Sequence, residues 1–295
     1  SLYSSTTGAY NTSIGDAALA LNTIGAYNTA IGYNALYCNT TGISSVAIGH
    51  EALKCNTTGK YNVAIGYNAL YSNTIGDTNV AIGQNALKSN SSGCANIAIG
   101  ACSSWCNITG KNNVAVGHGS LLANLVGCYN TAIGHQAMGG YTGSDNTSVG
   151  FNTLCKAINS ATRNTAIGSC SSLMTCGGYD NTALGYGAGY AVSDGCFNVN
   201  IGSCAGSFNS IGGCNIAIGK GAGQNSSSAN CNITIGTHAG CGICSYGSGN
   251  IVIGTSTPGA GNGCNSIIIG TCIGQMYSVS NTICMKAGAQ SLTVQ

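Results

Sequence analysis

The chain has 295 residues, of which 47 are Gly and 18 Cys, with one Pro and one Trp. Charged residues make up 5%, against about 25% in ordinary soluble domains, and eight basic and six acidic side chains leave a net charge of +2. So few basic groups make no stripe for nucleic acid, the 44% hydrophobic content excludes a disordered chain, and the absence of a three-residue Gly period excludes collagen.

Polar Asn, Thr, Ser or Gly interrupts every apolar run before it reaches 18 residues, so no transmembrane helix and no membrane insertion is expected. The chain starts at Ser1, already in repeat-like sequence. It reads as a processed product or a piece of a longer chain.

Along the chain an aliphatic-Gly pair recurs sixteen times, from Ile14-Gly15 to Ile269-Gly270. The spacing is seventeen for the first seven steps, then 16, 18, 17, 17, 17, 17, 18 and 16, and a degenerate seventeenth copy begins at Asn281. Seventeen residues are too few for a helical-hairpin repeat and suit one coil of a solenoid. The tetrads Thr29-Ala30-Ile31-Gly32 and Val63-Ala64-Ile65-Gly66 alternate as short strands do. The fold class is therefore all-β: a parallel β-solenoid, or β-roll, with about 16–17 coils of 17 residues. Sixteen coils at about 4.8 Å each predict a rod of roughly 75 Å.

The residue before Gly is Ile thirteen times, Val twice and Leu once. It shares a face with the Thr, Val or Ile two residues earlier, and that larger face is expected to fill the coil. The intervening Ala of Ala30, Ala47, Ala64, Ala81, Ala98 and Ala115 then points outward, toward another face or another chain. The Gly is expected at a corner, with positive φ or no room for a Cβ. The Asn before most strands, as in Asn28, Asn62, Asn79 and Asn96, is expected to stack as a hydrogen-bonded ladder near the core. Ala-Leu after the corner, as in Ala35-Leu36, becomes Ala-Gly, as in Ala188-Gly189. Residues 1–295 are read as one continuous solenoid domain, with Ala-Leu coils over about 1–168 and thinner Ala-Gly coils over about 169–295.

Asn62-Val63-Ala64-Ile65-Gly66 and Asn113-Val114-Ala115-Val116-Gly117 resemble the head repeats of trimeric autotransporter adhesins. The longer string from Asn28 to Tyr37 resembles repeats of bacteriophage tail fibres and of surface fibres of large algal viruses. The resemblance covers nearly the whole chain and implies a left-handed β-roll, three chains side by side, in a fibre shaft.

Cys38 and Cys55 lie seventeen apart in one column, as do Cys214 and Cys231. Adjacent coils bring such pairs within the Cα separation that a disulfide accepts, which suits covalent stapling; core filling by thiols is the competing reading. Asn39, Asn56, Asn90 and Asn107 are sequon residues in one column seven after the corner, so they are candidate glycosylation sites if the loop is exposed. The competing reading is turn chemistry. Cys241-Gly242-Ile243-Cys244 is an isolated pair, and His50 lies several coils from His118 and His135, so no metal site is expected. Six acids spread over the chain make no paired-carboxylate site, and neither a catalytic residue nor a cofactor is expected. Tyr33, Tyr37, Tyr67 and Tyr71 lie on coils two apart and offer a surface for carbohydrate or protein.

The sequence thus reads as a structural fibre or adhesin shaft of a virus or cell surface, extracellular or on the virion, and not an enzyme. Its partners would be its own copies and a host glycan or protein receptor. The alternative is an ice- or carbohydrate-binding solenoid module.

Overall fold

The computed structural model describes residues 7–140, 143–155, 161–172, 177–191, 193–208, 211–224, 228–241, 247–257, 263–271, 280–287 and 290–294. The chain folds as an all-β parallel β-solenoid and divides into two compact units, Ser1–Asp145 and Asn146–Gln295. Their boundary falls in the coil between Gly134 and Gly150, the first that is one residue short of seventeen.

The first unit holds β1 (Thr12–Ile14), β2 (Thr29–Ile31), β3 (Val46–Ile48), β4 (Val63–Ile65), β5 (Val80–Ile82), β6 (Ile97–Ile99), β7 (Val114–Val116) and β8 (Thr131–Ile133). Each pairs in parallel with the next at matching repeat positions, as in Val63↔Val80, Ala64↔Ala81 and Ile65↔Ile82. A three-residue strand is short, but the ladder continues beyond it. Val63 N–H donates to the Asn79 carbonyl at 2.8 Å and Leu53 N–H to the Ala69 carbonyl at 2.9 Å. Backbone groups on several sides of a coil are thus satisfied by the coil beside it, as burial requires.

Tight turning comes from left-handed residues in fixed columns. In the coil of Gly32 these are Tyr27 (φ 60°), Asn34 (φ 54°) and Leu36 (φ 52°), with Gly32 itself at φ 134°. A left-handed Leu costs roughly 1–2 kcal/mol. Full burial of that side chain returns about 2 kcal/mol or more. Leu19, Leu36, Leu53, Leu70 and Leu87 are all fully buried, and they form the core together with Ala30, Ala47, Ala64, Ala81 and Ala98.

The strand faces are therefore the reverse of the expectation. Ala points into the coil and the larger flanking residues point out. Ile82, Ile97 and Ile99 are each more than a third exposed, while Ala81 and Ala98 are fully buried. The physical reason is room. The interior is narrow, and Leu four residues past the corner fills it from the opposite side, which leaves space for one methyl group.

The second unit holds β9 (Thr147–Val149), β10 (Thr165–Ile167), β11 (Thr182–Leu184), β12 (Val199–Ile201), β13 (Ile216–Ile218), β14 (Ile233–Ile235), β15 (Ile251–Ile253), β16 (Ile267–Ile269), β17 (Ile283–Ala287) and β18 (Gln290–Val294). β9 to β17 stack in parallel, so the copy at Asn281 supplies a strand in register with β16. β18 then turns back antiparallel on β17, with Ile283 opposite Val294, and covers its edge.

Here the Leu column gives way to Gly189, Gly206 and Gly223, and interior volume is returned from the strand side. A Cβ on Gly206 would collide with Asn200 Oδ1, and one on Gly223 would lie 2.9 Å from Thr234 Oγ1. Asn200, Thr234, Val252 and Ile268 stand where the first unit has Ala, and all are buried. The change in this half is an exchange of volume between facing columns rather than simple thinning.

Candidate functional site

Two surfaces emerge from this geometry, and the candidate residues read from the sequence fall on or beneath them. The asparagine columns lie beneath. Asn39, Asn56, Asn90 and Asn107 are fully buried. Asn56 Nδ2 donates to Asn39 Oδ1 at 2.8 Å and to the Gly59 carbonyl at 3.0 Å, and Asn90 Nδ2 to Asn73 Oδ1 at 2.8 Å. Asn39 and Asn107 repeat the pattern, bonding Asn22 and Asn90. These four are interior ladder residues and not glycan acceptors, because an N-linked sugar has no room on an amide whose donors and acceptor are engaged inside the coil. The sequon at Asn225 lies outside the described residues. The column before the strands forms the second, anticipated ladder. Asn96 Nδ2 donates to Asn79 Oδ1 at 3.1 Å and to the Gly110 carbonyl at 2.8 Å.

Cys38, Cys55, Cys214 and Cys231 are present as thiols. The proposed staples are not formed. Side chains in stacked columns project side by side at about the 4.8 Å coil spacing. A disulfide needs convergent Cβ vectors and sulfurs about 2.05 Å apart. Burial pushes the Cys38 and Cys55 thiols up, and at Cys55 the neighbouring Cys38 charge adds to the shift. Less thiolate means slower exchange. Cys214 and Cys231 are exposed. Among the described residues no three His, Cys, Asp or Glu side chains gather as a metal set, and Cys244 lies outside them.

On the surface of the first unit, His50 stacks between Tyr33 and Tyr67, with ring centroids 5.1 Å away on each side. The tyrosines on coils two apart are thus joined by the imidazole between them. Lys54 Nζ sits 2.6 Å from Glu51 Oε1 and 5.3 Å from the Tyr71 ring centroid. This bond raises the Lys54 ammonium well above its ordinary range and lowers the Glu51 carboxyl. Glu51 is committed to that ion pair, and its lowered pKa runs opposite to what a general acid needs.

The first surface is the strand face. Through β8 in the first unit, and separately from β9 through β16 in the second, it presents two columns of Thr, Val, Ile and Leu side chains with no charged group. Their exposure runs from intermediate to well over a third, with Ile133 at 40% and Leu184 at 44%.

The second surface was not singled out in the sequence. In the second unit, Tyr186, Tyr190 and Phe208 line an open recess of about 460 Å³, with Gly187 between Cys170 and Cys204 beneath it. Gly187 falls in a column that elsewhere carries Asn34, Asn68, Asn85 and Gln136 but also Gly119 and Gly221, so the sequence alone does not mark it. A Cβ built on Gly187 would meet only Cys204 Sγ, at 3.5 Å, so the recess exists because this residue lacks a side chain.

No helix among the described residues is long and apolar enough to cross a membrane. Compared with known family models, with curated proteins and with solved structures, the chain matches none.

Proposed function

We propose that the chain is a non-enzymatic structural segment of a fibre or adhesin shaft, outside the cell or on a virion surface, assembled side by side as a homotrimer. The strand face carries this reading. Two uncharged columns of half-exposed aliphatic side chains keep their register from coil to coil. Apolar area left in water costs about 25 cal/mol per Å², and a contiguous patch of this kind marks an association surface. The buried Ala column takes no part in chain contacts; that role passes to Ile and Val. The resemblance to autotransporter heads and viral fibre repeats favours three chains. Hydrogen bonds between coils suit a shaft that bears load and presents an attachment surface to a host glycan or protein.

The test is the native mass without reductant, by sedimentation or light scattering. The expected particle is three times 29.2 kDa. The double variant Ile82→Lys, Ile99→Lys is expected to run as one chain with its β-sheet circular dichroism retained. A monomeric wild-type particle overturns the trimer. The same flat face, with Thr12 and Thr29 opening its first column, then supports the alternative of an ice-binding module, which a thermal-hysteresis assay decides.

A further inference from the structure

We infer that the second unit binds a neutral pyranose sugar in the recess between Tyr186, Tyr190 and Phe208. The inference goes beyond the fibre reading and needs one chain only. Its volume of about 460 Å³ falls within the ~300–1,000 Å³ of small-molecule sites.

The rings are arranged to receive a ligand. On the first unit several exposed aromatics stack on one another, while in the second Tyr179 meets Phe197 edge-on at 5.3 Å and 83°. Tyr10 and Tyr27 lie 5.0 Å apart at 11°, and Tyr33, His50 and Tyr67 form a continuous stack. In such ladders the ring faces are already covered. Tyr190 and Phe208 instead stand 6.1 Å apart and tilted by 55°, opening a cleft. Tyr186 is 62% exposed and Phe208 51%, so both present ring surface to an occupant.

The polar groups narrow the ligand class. Among the described residues no charged side chain lines the recess, so a strongly ionic ligand finds no countercharge from them. Its rim carries the phenols, the Ser207 hydroxyl and the Gln224 amide. Ser207 Oγ donates to the Cys204 carbonyl at 3.0 Å, so its lone pairs remain to accept. The Cys241 thiol reaches Gln224 Oε1 at 4.0 Å, and the amide also carries N–H donors. A wholly apolar ligand would leave these groups dry and unpaired. A pyranose meets both demands. Its C–H face rests on an aromatic face, and its hydroxyl edge exchanges hydrogen bonds with Ser207, Gln224 and the phenols.

Saturation-transfer NMR with the methyl pyranosides of glucose, galactose and mannose tests this on the full chain. At least one is expected to bind with a Kd on the order of millimolar. Gly187→Gln is expected to weaken it about tenfold or more, by filling the recess, with an unchanged melting temperature. Gln136 already adopts the same left-handed backbone in this column, at φ 53° against 60° for Gly187. Tyr186→Ala is expected to weaken binding to a similar degree. The inference is overturned if none of the three binds at about 50 mM. It is equally overturned if both variants bind like the wild type, or if cyclohexanol or a methyl sialoside binds more tightly than any neutral pyranoside.

Discussion

Gly66 illustrates how strictly single positions are constrained. Its φ of 132° is one that residues with a Cβ rarely adopt, and a Cβ there would lie 2.7 Å from the Gly83 carbonyl oxygen in the next coil. Backbone strain and a backbone clash add, and the next coil cannot retreat without breaking its own ladder. Gly66→Ala is expected to destabilise the first unit by about 3 kcal/mol or more, read as a lower urea midpoint at constant m. Gly at the corner column was plain from recurrence alone. The left-handed Leu36, Leu53 and Leu70 were not, because propensity disfavours them there and only burial sustains them. The sequon column misled for a related reason. Asn-Thr-Thr-Gly has the composition of an exposed turn, yet its amides close hydrogen bonds inside the coil.

At the scale of the coil, strand and opposite turn share one small interior. Ala98 and Ile99 are neighbours in β6 with opposite fates. Ala98→Leu forces a larger side chain against the core and is expected to cost about 1–3 kcal/mol. Ile99→Thr on the half-exposed face is expected to cost under about 1 kcal/mol in the separated chain. Thermal melts of the two variants on a monomeric background check the contrast, and equal costs would contradict the assigned facing. Strand positions were legible in the sequence because the aliphatic-Gly pair marks each one. The facing was not, because alternation gives a period of two without saying which half is inside. The usual tie-breaker, placing the larger residues inward, fails in a coil this narrow. A finer signal was present. As Leu gives way to Gly206 and Gly223, the strand centres change from Ala to Asn200 and Thr234. Such paired changes in size identify two columns that face one another. The recess at Gly187 was illegible for another reason. It depends on which side chains from four successive coils surround a missing one, and a single repeat does not show that.

At the scale of the whole chain, matching register means that each coil meets its neighbours through nearly the same contacts. Deleting residues 66–82, one full period, joins Ile65 to Gly83 and keeps every later column aligned. That variant is expected to keep its circular dichroism spectrum and to melt within about 5 °C of the parent, whereas deleting 66–74 shifts the columns and is expected to abolish the cooperative melt. The period and the parallel stacking were readable in advance. The division into two units was marked only by the short step from Gly134 to Gly150, which the sequence records without ranking above the other irregular steps. Because in-register coils are nearly interchangeable, inheritance can lengthen or shorten such a protein in whole steps, by duplicating or losing a period. Each intermediate is then already a folded molecule. The one residue missing before Gly150 shows the other kind of change, a fractional step, which shifts the later columns by one residue in sequence.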